Sequence, residues 1–147
     1  MLLICAASSG HNLVLAERLR ELSLERGLEA VVLDLTAAGL PLYTPAEDER
    51  GRPASLEPVE DLFSSATGFL FCAPEYNGSI PPTLTNAIAW LSTQSDEFRA
   101  LFNEKPVALA TRSGGGGQKV LVAMRLQLSN LGCNVLGGSW SPTRPSP

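Results

Sequence analysis

One histidine, His11, serves the whole 147-residue chain. Without a second imidazole, most zinc sites are excluded, as is any catalytic triad that does not use His11 itself. Cysteine is scarce too: Cys5, Cys72 and Cys133 stand far apart, and none belongs to a C-x-x-C pair. Each lies in or beside an apolar run, where a free thiol packs like a small hydrophobe, so the three read as buried and inert and no metal site is expected. Basic residues are few, 11 against 15 acids for a net charge of −4, with no basic block. A nucleic-acid groove needs a concentrated basic face, so no nucleic-acid partner is expected. No segment approaches the ~20 apolar residues of a membrane helix. The opening "MLLICAASS" lacks the basic region of a signal peptide and passes straight into a helical pattern. It reads as a first strand, and the chain as cytoplasmic with no membrane partner.

Apolar residues make up 44% and charged residues 18%, enough to build a core in one domain of this length. Met1–Ala7 is a continuous apolar run, as in a strand covered on both faces. From Asn12 to Arg26, Leu15, Leu19 and Leu22 share a helical stripe, and Gly27 stops it. Leu28–Leu35 is a second strand. The following stretch, Thr36–Ser55, has no hydrophobic periodicity and reads as a mobile loop. Leu56–Ala66 reads as a helix, Thr67–Ala73 as a strand, and Pro82–Thr93 as a helix opened by Pro81 and Pro82. Lys105–Thr111 is a fourth strand, Gln118–Leu131 a helix closed by Gly132, and Cys133–Gly138 a fifth strand. Alternating strands and helices predict an α/β fold, a doubly wound five-stranded parallel sheet of flavodoxin-like order 2-1-3-4-5, spanning residues 1–147 as one domain.

Ligands of such sheets bind outside the carboxyl ends of the strands, near the switch in strand order. Three loops leave strands one, three and four there: "ASSGHN" (Ala7–Asn12), "PEYNGS" (Pro74–Ser79) and "TRSGGGG" (Thr111–Gly117). The first opens a helix, whose N-terminus attracts anions. Ser8, Ser9 and Asn12 add donors, so the loop fits a phosphate site; it fits equally a plain cap by Ser9 or Asn12. The third is not a P-loop, because Lys119 is followed by Val120 rather than serine or threonine. Four glycines in a row instead suit a backbone that passes close to a flat ligand or bends sharply, with the ligand surface favoured. In the second loop a rigid turn explains the prolines of "NGSIPP" but not the triplet Glu75-Tyr76-Asn77 that precedes Gly78.

"APEYNGSIPPTLTNAIAW" (Ala73–Trp90) resembles the signature of the NADPH-dependent FMN reductase family. "TRSGGGG" and the following "VLVAMRLQLSNLGCNVL" resemble that family's third flavin loop, next helix and fifth strand; the resemblance runs from Leu2 to about Gly138. It implies FMN across the three loops. Ser8, Ser9, His11, Asn12 and Leu13 would face the phosphate, and Pro74, Glu75, Tyr76, Asn77 and Gly78 would border the ring, with Ser113, Gly114 and Gly115 opposite. NAD(P)H would be the co-substrate, and the flavin would carry the hydride with no obligatory catalytic side chain. Electrons would pass to a quinone, free flavin, azo dye or similar small acceptor. A flavodoxin-like electron carrier or redox sensor, or a family member that has lost FMN, are the alternatives.

The chain departs from the family pattern in three places. Its first loop is shorter, lacks the arginine of G-S-x-R-x-x-S-x-N and has His11 where serine is usual, which removes a charge-assisted phosphate contact. Arg112 stands where a small residue is usual; it alone does not decide between NADH and NADPH. The tail "SWSPTRPSP" does not read as the family's last helix. A homodimer or dimer of dimers is expected, with Trp90, Phe98 or Phe102 at the contact.

Overall fold

A computed structural model describes residues 1–93 and 95–141. The elements follow in the order β1 (Leu2–Ala6), α1 (His11–Glu25), β2 (Ala30–Asp34), α2 (Pro45–Glu49), α3 (Leu56–Ser65), β3 (Gly68–Cys72), α4 (Pro82–Leu91), β4 (Pro106–Ala110), α5 (Gln118–Asn130) and β5 (Asn134–Trp140). The five strands form one sheet, all parallel, in the order β2-β1-β3-β4-β5. The expected fold is borne out.

Alternation along the strands divides the core between two faces. Leu3, Cys5, Phe69, Phe71, Val107 and Leu109 point to one face, where α3, α4 and α5 cover them. Ile4, Ala6, Cys72 and Ala110 point to the other and meet Leu15 and Ala16 of α1. The first face holds the aromatic centre: Phe63 of α3 lies 5.0 Å from Phe69 and 5.6 Å from Phe102, centroid to centroid. Fully burying one such ring stabilises the fold by about 1.5–3 kcal/mol.

Trp90 and Phe102 are therefore not contact residues for a second subunit. Both are 0% exposed within one chain. A helical stripe shows which way Trp90 points but not what covers it. The cover is the segment between β2 and α3, expected to be mobile and found pinned. Trp90 Nε1 donates to Pro41 O (2.8 Å), and Tyr43 packs edge-on against the indole at 5.1 Å. The Asn86 carboxamide donates to Pro41 O and accepts from Tyr43 N, at 2.9 and 2.8 Å. Arg52 pairs with Glu60, and Ser55 Oγ donates to Gly39 O at 3.0 Å. The same segment contains α2, opened by Pro45 and capped by Thr44, whose hydroxyl accepts from Glu47 N. Phe98 is half exposed, with the Arg99 guanidinium 5.0 Å from its ring centre.

β5 runs two residues longer than expected, to Trp140, because a register shift opposite Val107–Leu109 takes up Leu136–Gly138. The Arg125 guanidinium donates to Leu136 O (2.8 Å), occupying a carbonyl of this edge strand. Most of the proline-rich tail, residues 142–147, lies outside the described residues, and so does the expectation that it forms no helix.

Candidate functional site

Because every strand is parallel, all carboxyl ends open on one edge, and the strand order reverses between β1 and β3. The three loops noted in the sequence meet there, and hydrogen bonds join them into one rim. Ala7 N donates to Cys72 O (2.9 Å) and Ala73 N to Ala110 O (3.1 Å), which continues the sheet into the loops. Thr83 Oγ1, in the first turn of α4, donates to Ala7 O at 2.6 Å.

The first loop turns into α1 at Gly10. No side chain caps this helix and no acid stands in its first turn. The capping explanation of Ser9 and Asn12 is thereby removed. Asn12 is 1% exposed, one of two buried polar residues among those described. Its carboxamide clasps the third loop: Nδ2 donates to Arg112 O (3.0 Å), and Oδ1 accepts from Arg112 N (2.9 Å). With both ends of the buried side chain engaged by Arg112, the main-chain N–H of Asn12 is its group best placed to meet an anion. Ser8 is half buried, and Ser9, Gly10 and His11 are exposed. Leu13 packs against the cluster under α1, and its N–H already donates to Gly10 O (3.0 Å).

The second loop answers the question posed by its triplet. Tyr76 and Ser79 exchange backbone hydrogen bonds at 3.0 and 2.9 Å around Asn77 (φ 50°) and Gly78 (φ 75°). Two central residues with positive φ make a type I′-like turn, for which Asn-Gly is the preferred pair. Asn77 is thus explained by backbone conformation. Glu75 joins the rim: its N–H donates to Ser113 Oγ (2.8 Å), and Oε2 accepts from Lys119 N (3.2 Å), so it caps α5 from another loop. Pro74 is buried, whereas Tyr76 is 47% exposed on the turn.

The third loop has two halves. Thr111 is buried; its N–H donates to Trp140 O (3.0 Å), and its hydroxyl shares a hydrogen bond with Ser113 Oγ (2.9 Å). A Cβ at Gly117 (φ 70°) would stand 2.5 Å from Thr111 Cγ2, so packing and backbone both demand glycine. At Gly114 and Gly115 a Cβ would meet nothing within 4 Å. Packing gives no reason for those two glycines, and they leave an open, bare backbone ledge.

Around this rim Cys5 and Cys72 lie beneath the surface, both thiols pushed up by burial, Cys72 to about 12. Neither is a nucleophile at working pH. No group of three or more metal-ligating side chains occurs among the described residues. The arrangement offers uncapped helix N–H groups, an exposed tyrosine and a bare glycine ledge: donors for an anion, with an aromatic side chain and open backbone on the same rim. The tie made by Thr83 joins residues 76 apart in the chain and that made by Lys119 residues 44 apart, and neither carries a local sequence signal.

Fold and rim together define a flavodoxin-like α/β protein. Residues 1–144 match the family described as NADPH-dependent FMN reductase, and the chain belongs to that family. It is 38% identical over 91 residues to a quinone reductase of Escherichia coli, covering 60% of this chain and 47% of that protein. It is 29% identical over 126 residues to an NAD(P)H-dependent FMN reductase of Saccharomyces cerevisiae, covering 78% and 61%. The chain thus spans about half the length of the curated relatives it matches. Among solved structures, the flavoenzyme NAD(P)H:(acceptor) oxidoreductase FerB from Paracoccus denitrificans superposes with a TM-score of 0.78 at 22% identity, over 94% of this chain and 76% of that one. An archaeal flavodoxin superposes with a TM-score of 0.65 at 11% identity, over 96% and 82%. FMN and a nicotinamide dinucleotide are the family's cofactor and co-substrate.

Proposed function

We propose that residues 1–147 form one FMN-binding domain that oxidises NAD(P)H and reduces a quinone or a similar small acceptor, such as free flavin or an azo dye. The observation that carries this reading is the rim itself, in which four side chains (Asn12, Glu75, Thr83 and Ser113) tie three loops together while Tyr76, Gly114 and Gly115 stay exposed. FMN fits that donor set. Its phosphate would take the uncapped N–H groups of α1 with the hydroxyls of Ser8 and Ser9. Its ring would lie between Tyr76 and the Gly114–Gly115 backbone.

When bound, FMN would supply the hydride chemistry. The chain's own residues hold and orient. Asn12 fixes the third loop against α1, Glu75 and Ser113 fix the second against the third, and Pro74, Gly78 and the Asn77 turn set where Tyr76 stands. No side chain of the rim is required as acid or base. The free, buried thiols of Cys5, Cys72 and Cys133 suit a reducing compartment and support a cytoplasmic location.

For assembly, we propose a homodimer or dimer of dimers whose contact uses Val122 and Leu126 of α5, 68% and 74% exposed one turn apart, with Phe98 the one aromatic still available from the expected set. A single monomeric species in sedimentation at micromolar concentration refutes that arrangement.

The functional test is steady-state NAD(P)H oxidation with FMN and a quinone. The reading expects turnover that depends on both. FMN bound without turnover would return the protein to the carrier class, and neither binding nor turnover would overturn the reading.

A further inference from the structure

We infer that Arg112, in the third loop, supplies the phosphate cation that the first loop lacks. The inference rests on the FMN reading of the rim and assigns one residue within it. The backbone of Arg112 is held at both its N–H and its C=O by the Asn12 carboxamide, at 2.9 and 3.0 Å. Asn12 is the second residue of α1. The clasp therefore pins the root of the arginine beside the first turn of that helix, where the phosphate would sit.

Among the described residues the guanidinium meets no partner. Among the described residues, Arg18, Arg20, Arg50 and Arg52 form ion pairs. Arg26 and Arg125 donate to carbonyls, and Arg99 lies over the Phe98 ring. Arg112 alone among the described arginines has no ion pair, no side-chain hydrogen bond and no aromatic contact, and it is exposed. The neighbouring carboxylate on the rim, Glu75, is turned to Lys119 N instead.

The family's first-loop arginine is missing, and Gly10 and His11 occupy this stretch. A guanidinium keeps its charge through the range in which an imidazole titrates. An arginine rooted on the opposite loop restores a permanent, bidentate-capable donor to the same anion.

FMN and riboflavin differ by the phosphate alone, so the pair reads this assignment directly. Each flavin is titrated, by quenching of its fluorescence, into wild-type protein, Arg112→Met and Arg112→Lys, with circular dichroism confirming that all three are folded. Arg112→Met should weaken FMN by about 10- to 100-fold, the range for losing a charge-assisted hydrogen bond. Riboflavin should change by less than about twofold, and Arg112→Lys should fall between wild type and methionine for FMN. FMN affinity unchanged in Arg112→Met overturns the assignment. Equal losses for both flavins also overturn it, since they would put the side chain at the ring. Wild-type protein that binds neither flavin overturns the FMN reading itself, and the assignment with it.

Discussion

Removing the Asn12 carboxamide should loosen the rim before it unfolds the sheet. Asn12→Ala takes away the partners of both Arg112 N and Arg112 O, bonds of 2.9 and 3.0 Å in a partly buried place. At about 0.5–1.5 kcal/mol each, the pair contributes about 1–3 kcal/mol. That is well below the ~5–15 kcal/mol stability of a domain, so the variant should remain folded. With a urea slope of about 1–3 kcal/mol/M, the unfolding midpoint should fall by roughly 1 M. Asn12→Asp is the sharper variant. It has the same shape and still accepts from Arg112 N, but it sets a carboxylate oxygen against the carbonyl of Arg112 where a donor is needed. An anion in the first turn of a helix regains only about 0.3–1 kcal/mol, so aspartate should not restore wild-type stability. Urea titration followed by circular dichroism, with FMN titration alongside, reads both effects. Either variant unfolding at the wild-type midpoint would refute the clasp. Lost FMN affinity at unchanged stability would make Asn12 a direct ligand instead.

Three more outcomes are expected. Gly117→Ala forces a Cβ against Thr111 at a backbone φ of +70°, and strain plus overpacking should destabilise by about 2–4 kcal/mol; an unshifted melting temperature would contradict the packing argument. A Cβ at Gly114 would meet no neighbour within 4 Å, so Gly114→Val should fold normally yet weaken FMN, and unchanged affinity in the folded variant would remove the third loop from the site. Burial raises the thiols of Cys5, Cys72 and Cys133 above the ordinary 9.0, Cys72 to about 12 and Cys133 to about 11, with Cys72 adding to the rise at Cys5. Their contribution is therefore whole below pH 9.0 and is lost as pH climbs toward those values. The urea midpoint should fall between pH 9 and pH 11, less steeply in Cys72→Ala, and a flat profile would contradict it.

The strands and long helices were legible because their signals are local: apolar runs for β1 and β3, helical spacing for α4 and α5, and glycine stops at Gly27 and Gly132. The Asn-Gly turn at Asn77 and Gly78 was equally open to reading, as the preferred pair for two positive-φ positions. So was the start of α2, where Thr44-Pro45 carries a cap signal, although five residues are too few to show a period. What the sequence hid were remote pairings. Asn12 finds Arg112 a hundred residues away, and Trp90 finds Pro41 forty-nine residues back. Trp90 and Phe102 look like a surface patch until the chain that covers them is in place. The rim residues were found together because the parallel sheet brings three strand ends to one edge, which order alone predicts.

The most direct test of the central claim is FMN titration of purified wild-type protein, followed by quenching of flavin fluorescence. Saturable binding of one FMN per chain is expected, with an accompanying shift of the visible absorption band and weaker binding in Gly114→Val. Fluorescence that falls only in proportion to dilution, at protein concentrations up to millimolar, would contradict it.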